Sequence, residues 1–543
     1  MRATRLSALA LAGAALIATA AGAQAPAVSA REIDAHLRFL SSDLLEGRAP
    51  ATRGGRLVAE YIASQLRAYG VEPGVAGGSY FQRVPIDIVG ADPATLRVGA
   101  SGRATASLRY PDDVVVWAGS AADNVEARGE IVFVGYGSAA PEFRWDDFKG
   151  VDLRGKILMV LVNDPPAPPG EPNHFGGRAM TYYGRWTYKF EEAERRGAAG
   201  MLIVHTTEQA GYPWHTVVGS WAKEQRMLPR DPALPRPLAF RGWITDSVAT
   251  SLLRQAGLDL AELRRRAATR EFRPVPTGIS LAVGFSNRVQ HLESENVVGV
   301  VRGSDPRLRS QAVALSAHWD HLGIGPAVNG DSIYNGAEDN ASGVADLLAV
   351  AHVAAHRPAP KRSLLFVFVT AEESGLLGSA AFAQNPTMPI ANIVANLNVD
   401  GGNVLGRTRD FRLLGDTKST LGPAFARMIA ARGWRVSPDE HPERGYFYRS
   451  DHFSFAKAGV PSVSIGAGND YQGKPAGWGQ QQQEDYTAHR YHQPSDQYRA
   501  DFDLTGAVQL STAVLDFATQ IANAGTLPQW NRDAEFASVR PPR

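Results

Sequence analysis

The sequence predicts an α/β fold in which a mostly parallel, mixed sheet is flanked by helices and interrupted by a β-rich α/β insert. Three observations predict it. Apolar strands alternate with helical patterns in the carboxyl-terminal half, which is typical of a sheet covered on both faces. Between about residues 110 and 280 the pattern changes to short β-rich runs separated by Gly and Pro. Finally, 44% hydrophobic and 20% charged residues describe a globular chain rather than a disordered one.

The first 23 residues are predicted to be a signal peptide. Arg2 and Arg5 precede an apolar run, Leu6–Ala21, which leads into the small-residue site Ala21–Ala23. These are the three marks of a cleaved secretory signal. Because the run falls short of the ~20 apolar residues that a spanning helix needs, we expect no stable membrane insertion. The protein is therefore expected to be exported, to the periplasm or the medium.

Residues 24–109 are predicted to be the amino-terminal part of the main domain. Apolar positions recur at helical spacing from Ile33 to Leu45 and again from Leu57 to Tyr69. Gly70 follows the second pattern, as a helix C-cap would. Two helices are therefore expected here.

Residues 110–280 are predicted to be an inserted domain. Val114–Trp117, Ile131–Val134 and Ile157–Val162 have the short apolar pattern of buried strands. Tyr188–Arg196 follows as an amphipathic helix, and Met201–His205 follows that as another buried strand. The pattern indicates a βαβ-like unit of its own.

Residues 281–525 are predicted to complete the main domain, and 526–543 to be a carboxyl-terminal tail. Apolar strands and a long helix alternate there, which favours a mostly parallel sheet. The predicted elements are the strands Asn296–Val301, Ala312–Ala317, Ser363–Thr370, Ile393–Val399 and Pro461–Ile465 and the helix Ser342–His356.

Charge and cysteine content exclude several classes of function. The 543 residues include 56 basic and 55 acidic ones, for a net charge of +1. Removal of the signal peptide takes away two arginines and no acid, which leaves 54 against 55, or −1. This balance argues against a nucleic-acid partner, which would need a concentrated basic face. Since the chain has no Cys, a metal site must be built from His, Asp and Glu.

Acidic and His side chains follow three of the predicted strands. His318 and Asp320 follow the strand that ends at residue 317, Glu372 and Glu373 follow the next strand, and Asp400 follows the third. In an open α/β sheet the carboxyl ends of the strands form the ligand crevice. We therefore expect these side chains to meet at one rim of the sheet.

Two loops add a carboxylate and an imidazole to this set. Asp339 lies just before the predicted helix at residue 342, where it could otherwise be only an N-cap, and His492 lies in a proline-containing turn. Two His and three carboxylates, with one carboxylate shared, would give each of two divalent cations three protein ligands and an open position. Asp320 suits a carboxylate that orients the imidazole of His318.

Five segments of the chain resemble peptidase family M28, which includes bacterial leucyl aminopeptidases. The resemblance covers about residues 296–518 in the family's order, and Phe39–Arg48 is similar to the family's opening segment. It implies the zinc exopeptidase fold. The segments are Ser316–His321, Gly336–Gly343, Thr370–Gly375, Asn396–Asp400 and Tyr491–Pro494.

The resemblance also implies a role for each site residue. His318 and Asp400 would complete opposite metal sites, with Asp339 bridging them. Glu373 and His492 would be the remaining ligands and Glu372 the general base, a distinction that the Glu-Glu pair alone does not make. His321 is an alternative to His318 as a ligand, since either could leave the same strand end. Unlike the family, which commonly has a bulky apolar residue after this Asp, the chain has Gly401.

The insert resembles a protease-associated (PA) domain through one helix and strand, Tyr188–His205. In the family such a domain lies beside the catalytic cleft as a lid or substrate guide. The alternative is a packing domain without a role in turnover, because a fold does not imply a function.

Together these features predict a metallo-aminopeptidase with two zinc ions per chain and a peptide substrate. Water bridging the zinc ions would lose its proton to Glu372, and the hydroxide would attack the scissile carbonyl. Tyr491 would either donate a hydrogen bond to the oxyanion or only pack the loop.

Three alternatives stay open. A carboxypeptidase on the same scaffold would need a cationic clamp, for which Arg444 and Arg449 are candidates. A glutaminyl cyclase would keep one zinc. A catalytically silent binding ectodomain, like the transferrin receptor, would lack ligands, and none is missing here.

Overall fold

The computed structural model of the protein describes residues 26–168, 170–231 and 233–539. The predicted signal peptide, residues 1–23, lies outside the described residues. Within those three ranges, no helix has both the length and the apolar character needed to cross a bilayer.

The strands of the described residues form one 17-stranded mixed sheet and two two-stranded ribbons. In chain order they are β1 Glu72–Pro73, β2 Phe81–Ala91, β3 Arg97–Gly102, β4 Ala106–Ser107, β5 Val114–Ala118, β6 Asn124–Phe133, β7 Ala139–Ala140, β8 Trp145–Asp146, β9 Ile157–Leu161, β10 Gly200–His205, β11 Gln225–Met227, β12 Phe240–Thr245, β13 Val275–Val301, β14 Ala312–His318, β15 Gly323–Val328, β16 Asp331–Tyr334, β17 Ser363–Val369, β18 Ile393–Asn398, β19 Asp410–Leu414, β20 Arg435–Ser437 and β21 Ser462–Ala467.

Helices cover the sheet and connect its strands. They are α1 Ala30–Leu40, α2 Arg53–Ala68, α3 Trp186–Arg195, α4 Thr207–Ala210, α5 Trp214–Trp221, α6 Asp246–Gln255, α7 Leu260–Ala267, α8 Ser342–His356, α9 Leu377–Gln384, α10 Leu421–Ala430, α11 His452–Lys457, α12 Trp478–His489 and α13 Thr505–Asn523. The first predicted helix ends early, at Leu40, because the backbone of Ser42 is extended, and a 3-10 turn over Asp43–Arg48 follows.

The carboxyl-terminal part of the sheet has β14 at its centre. β14 pairs in parallel with β17 on one side and with β18 on the other, and β18 pairs in parallel with β21. Alternate residues of β14 point to opposite faces. Val313 and Leu315 pack into a core that includes α8 and α13, whereas Ala312 and Ala314 pack into a core on the opposite face. The predicted α/β fold class, a mostly parallel mixed sheet flanked by helices, is confirmed.

A second group of parallel strands lies in the middle of the chain. β10 pairs in parallel with β9 and with β12. Leu202 and Val204 face one apolar core, and Met201 and Ile203 face another. The cores on both faces explain why β10 has no polar position before its last residue.

One strand joins the two regions. β13 is 27 residues long, whereas the sequence predicts a strand only over its last six residues. Its first part pairs with β3 and β6, and its last part pairs with β2 and β17. Exposed polar residues around Gln290 and Glu293 interrupt the apolar pattern of the sequence. The antiparallel pairing with β2 still provides hydrogen-bond partners for the backbone N–H and C=O groups there.

Candidate metal centre

The carboxyl ends of three neighbouring parallel strands bring His and carboxylate side chains together. β14 ends at His318, Glu372 lies three residues after β17, and Asp400 lies two residues after β18. These three side chains form one of two groups of the described residues in which a ligand atom of each lies within 4.8 Å of the others. The sheet topology therefore brings these residues together at one rim, as the sequence predicts.

The first group forms around His318. Its Nε2 lies 3.3 Å from Oδ1 of Asp400 and 3.3 Å from Oδ1 of Asp339. The ring is buried, with 1% of its surface exposed.

The second group forms around Glu373. His492 Nε2 lies 3.0 Å from Oε2 of Glu373 and 3.3 Å from Oδ2 of Asp339. His321 Nδ1 lies 2.7 Å from the other oxygen of Glu373. Asp339 therefore directs one oxygen towards each group.

The assignment of His318 and Asp400 to opposite metal sites is wrong. Their side chains are 3.3 Å apart, in the same group. The reason is strand order, because β18, which precedes Asp400, and β17, which precedes Glu373, pair with β14 on opposite sides. Glu373 and His492 accordingly lie in the opposite group.

Asp339 lies three residues before α8 and does not cap it, since no side-chain cap hydrogen bond is present at the start of that helix. Instead its backbone N–H donates to Oδ2 of Asp496, 3.1 Å away, and the N–H of Glu338 donates to Oδ1. These bonds hold the loop so that the Asp339 carboxylate faces the imidazoles. His492 itself has a φ of 59°, a conformation unfavourable for a residue with a Cβ that is found where the surroundings fix the chain.

Asp320 orients the site in a different way from the predicted carboxylate–imidazole bond. The hydrogen bond of His318 Nδ1 is to the backbone oxygen of Asp320, at 3.2 Å, and the carboxylate is 3.8 Å from the ring. That carboxylate accepts the backbone N–H of Glu372 at 3.0 Å and that of Glu373 at 3.4 Å. Asp320 thus links the strand end that bears His318 to the loop that bears both glutamates.

Tyr491 lies at the edge of the site. Its ring stacks on His492 with centroids 3.8 Å apart, and 46% of its surface is exposed. Burial of the hydroxyl and the charges of Asp339 and Glu373 raise its pKa, so it keeps its proton and can donate a hydrogen bond.

Arg48 is a site residue whose role the sequence does not reveal beyond its place in the opening segment Phe39–Arg48. It is 1% exposed. Its guanidinium donates to the backbone oxygens of Trp319 at 2.9 Å and Gly336 at 3.0 Å, and also to that of Asn335. The loops that carry Asp320 and Asp339 are therefore tied together by one buried cation.

The crowding of these carboxylates shifts their pKa values in opposite directions. Burial, with the charges of Asp400 and Glu373, raises the pKa of Glu372 well above its usual range. Burial also opposes ionisation of Asp339, but hydrogen bonds from His318 and His492 outweigh it and hold its pKa well below the usual range. Glu372 is thus the carboxyl of this set that binds a proton most readily.

The donor atoms fit divalent cations. Each group offers imidazole nitrogen and carboxylate oxygen, a donor set that zinc accepts. Nε2 of His321 is buried and has no hydrogen-bond partner among the described residues. Several buried carboxylates packed together are costly unless cations compensate them.

This site lies within residues 296–518, which match the sequence model of peptidase family M28. The chain carries an M28 peptidase domain. Curated relatives of this M28 domain include a vacuolar membrane protease of Candida albicans (strain WO-1), 35% identical over 149 residues, which are 27% of this chain and 16% of the relative. The corresponding protein of Saccharomyces cerevisiae (strain YJM789) is 34% identical over 128 residues, 23% of this chain and 12% of the relative. The matched part thus spans about a sixth or less of these relatives' lengths.

Some of the solved structures similar to the chain cover nearly all of it, and others cover less than half. The aminopeptidase from Aneurinibacillus sp. strain AM-1 has 19% identity and a TM-score of 0.47, covering 91% of this chain and 94% of that one. A zinc aminopeptidase from Bacillus subtilis has 17% identity and a TM-score of 0.41, covering 95% and 98%. A glutaminyl cyclase from Porphyromonas gingivalis has 20% identity and a TM-score of 0.31, covering 42% and 78%.

Proposed function

We propose that the chain is a two-zinc exopeptidase that removes residues from the amino terminus of peptides. The observation that supports this most directly is that the two oxygens of Asp339 face two separate His–carboxylate groups. His318 and Asp400 would hold one ion and Glu373 and His492 the other. Zinc there would supply a Lewis acid for the scissile carbonyl and would lower the pKa of water towards neutrality.

Glu372 is proposed as the general base. Glu373 is held by two imidazoles, at 2.7 and 3.0 Å, as a ligand would be. The Glu372 carboxylate, by contrast, has no hydrogen bond or ion pair within the described part of the chain, although it lies in the group of His318 and Asp400. It is therefore free to take a proton from water and return it to the leaving amine.

Asp320 and Tyr491 would support this proton transfer. Asp320 fixes the backbone of Glu372 and so the position of its carboxylate. The protonated hydroxyl of Tyr491, stacked beside His492, would donate to the oxygen of the scissile carbonyl as negative charge develops on it.

The charge of the rim favours the amino end of a peptide. None of the carboxylates of the two groups, nor that of Asp320, forms an ion pair with a Lys or Arg of the described residues. A substrate ammonium can be held by such oxygens, whereas a substrate carboxylate needs a cationic clamp.

The test compares a free peptide with its N-acetylated form, and product identity is followed by mass. Acetylation should lower efficiency by some tens- to hundred-fold, because loss of a charged anchor costs about 2–3 kcal/mol. Equal rates, or release of the carboxyl-terminal residue first, would reject the aminopeptidase and favour the carboxypeptidase.

The insert and the amino terminus complete the proposal. The insert is proposed to be a PA-like substrate guide, supported by the packing of Leu228 against a small core that contains Ala371, the residue before Glu372. Export is proposed from the pattern of residues 1–23, and amino-terminal sequencing of the exported protein would test it.

A further inference from the structure

Two histidines lie one turn apart at the end of α8 that is farther from the metal centre. His352 and His356 are four residues apart, and this spacing places both side chains on one face of the helix. The centres of their rings are 4.8 Å apart. Because Asp339 precedes the start of α8, about 15 Å of helix separates this pair from the metal centre.

An oxygen atom holds the Nδ1 of each ring. Nδ1 of His352 lies 2.7 Å from Oε1 of Glu32 in α1, and Nδ1 of His356 lies 2.9 Å from the backbone oxygen of His352. An ionised carboxylate and a carbonyl oxygen only accept hydrogen bonds, so each Nδ1 carries a proton. In the neutral rings each Nε2 then has a free lone pair. Within the described residues neither Nε2 has a hydrogen bond or an ion pair.

These contacts are the ones that usually orient metal-binding imidazoles. A His ligand commonly donates its other ring N–H to a carboxylate or a backbone carbonyl, which fixes the tautomer and the direction of the ring. Tyr69 holds the ring of His352 further, because it stacks on the face of that ring with centroids 4.5 Å apart. The edge of the ring stays open, since 36% of the His352 side chain is exposed, and His356 is exposed as well.

The spacing of the two rings fits one metal ion between them. Zn–N bonds of about 2.0–2.1 Å, at angles of about 90–109°, place two imidazole centres about 4.5–5.2 Å apart, a range that includes the observed 4.8 Å. The last turn of a helix also favours a cation, because its carbonyl groups carry partial negative charge. Arg357, the next residue, is engaged elsewhere, since its Nε donates to the backbone oxygen of Pro26 at 3.0 Å.

We propose that His352 and His356 bind one divalent transition-metal ion at an additional site, separate from the metal centre. Zinc and copper are ions that accept imidazole nitrogen in this way. With only two protein ligands, the ion should exchange with free metal and be removed by dialysis against metal-free buffer. The inference does not depend on peptidase activity, because neither histidine belongs to the groups around His318 and Glu373.

His291 in β13 provides a matched control. Its Nδ1 lies 2.7 Å from Oδ1 of Asp87, and 76% of its side chain is exposed. It therefore shares with His352 an Nδ1 held by a carboxylate and an Nε2 that has no partner among the described residues. No second imidazole lies against its ring in the described part of the chain, so it lacks the pair.

The first test counts zinc by atomic spectroscopy after equilibrium dialysis against buffer with micromolar free zinc. The parent chain should bind one ion more than His356→Gln, and His291→Gln should bind as many as the parent. His356 is exposed, so this variant does not depend on repacking a core. Because the result is a difference of one ion, it can be read whether the metal centre holds two ions, one or none. Equal counts in the parent and His356→Gln, or loss of an ion from His291→Gln, would overturn the inference.

The second test identifies the ligands. One equivalent of Cu²⁺ is added to the zinc-loaded protein and followed by electron paramagnetic resonance, since copper binds a given imidazole site more tightly than zinc does. The parent and His291→Gln should show hyperfine splitting from two imidazole nitrogens, which both His352→Gln and His356→Gln should lose. The same spectrum in the parent and in either of these two variants would place the copper elsewhere and overturn the inference.

Discussion

Two sets of three parallel strands in this protein follow the same plan, and they use their carboxyl ends differently. In the M28 domain the central strand β14 ends at His318, and an acid, Glu372, lies three residues after its neighbour β17. In residues 110–280, the predicted insert, the central strand β10 ends at His205, and an acid, Asp164, lies three residues after its neighbour β9. The arrangement of residues in the sequence is the same.

The difference is in what the strand-end side chains contact. Asp164 accepts the hydroxyl of Thr181 at 2.6 Å and its backbone N–H at 2.8 Å. His205 Nε2 bonds the backbone oxygen of Tyr212 at 2.9 Å. In the insert these groups are satisfied by the fold itself, whereas in the M28 domain they face one another. Ionisable residues at strand ends thus predict a site only where no local partner satisfies them.

The largest expected effect tests the M28 side of this comparison. Glu372→Gln should lower kcat by at least about a hundred-fold, the scale of a lost general base, and leave the metal content unchanged. Steady-state kinetics with metal analysis of the same sample measures both. Asp246→Asn, a change at the first residue of α6, directly after β12, is the control and should keep parental turnover. Normal turnover of Glu372→Gln with metals bound would remove Glu372 from the chemistry.

The next effect concerns metal retention. Asp339→Ala should weaken the binding of both metal ions, because each oxygen of this carboxylate faces one of the two groups. The loss of affinity should exceed the about 10- to 100-fold that follows removal of a residue that only orients a metal ligand. Atomic spectroscopy after dialysis should give two ions per parent chain and fewer in this variant than in Asp400→Ala.

His205→Ala is the control for metal retention and should keep the parental metal content. One ion per parent chain would instead favour the glutaminyl cyclase, and none would favour the silent ectodomain. Full occupancy in Asp339→Ala would limit Asp339 to shaping the loop.

The sequence predicts the central strands well because their apolar runs are long and their ends carry charged residues. It also predicts that His318, Glu372 and Asp400 meet, since parallel strands share one edge. It does not predict that Asp400 shares the group of His318 while Glu373 lies in the other group, because that depends on β18 and β17 lying on opposite sides of β14. Strand order is a property of the tertiary fold.

One other feature could not be predicted for a related reason. The bonds of Arg48 are to backbone oxygens, which every residue has, so no pattern of side chains signals them. Only the short segment Phe39–Arg48 contained a signal for this residue.

A smaller effect is expected on the insert side of the comparison. Asp164→Ala should destabilise the protein by about 1–3 kcal/mol, because the hydroxyl and N–H of Thr181 lose their buried acceptor. Urea unfolding followed by tryptophan fluorescence measures this. Metal content should stay at the parental value, which is the opposite of the result expected for Asp339→Ala. Loss of metal in Asp164→Ala would show that the two strand-end sets are coupled.

The smallest effect concerns a third kind of carboxylate, buried behind the rim in α8. Asp346 is 1% exposed and, among the described residues, belongs to neither metal-binding group and to no ion pair. Burial raises its pKa well above the usual range, and the Ser511 hydroxyl offsets this only in part. The folded protein therefore binds this proton more tightly than the unfolded chain does.

The contribution of Asp346 to the free energy of unfolding is therefore largest below its pKa in the unfolded chain, near pH 4. It is lost as the pH rises towards the pKa of Asp346 in the folded protein. Asp346→Asn removes the titration, so it should melt at a higher temperature than the parent at pH 7 to 8, with the gap closing near pH 4. Thermal unfolding of both proteins across this range measures the gap, and Asp112→Asn, at an exposed carboxylate, should show no such trend. A variant that melts lower than the parent at pH 8 would mean that the ionised carboxylate has a stabilising partner. Asp346 would then be one of the residues that position the metal-binding groups, and not a buried carboxylate that destabilises the folded protein.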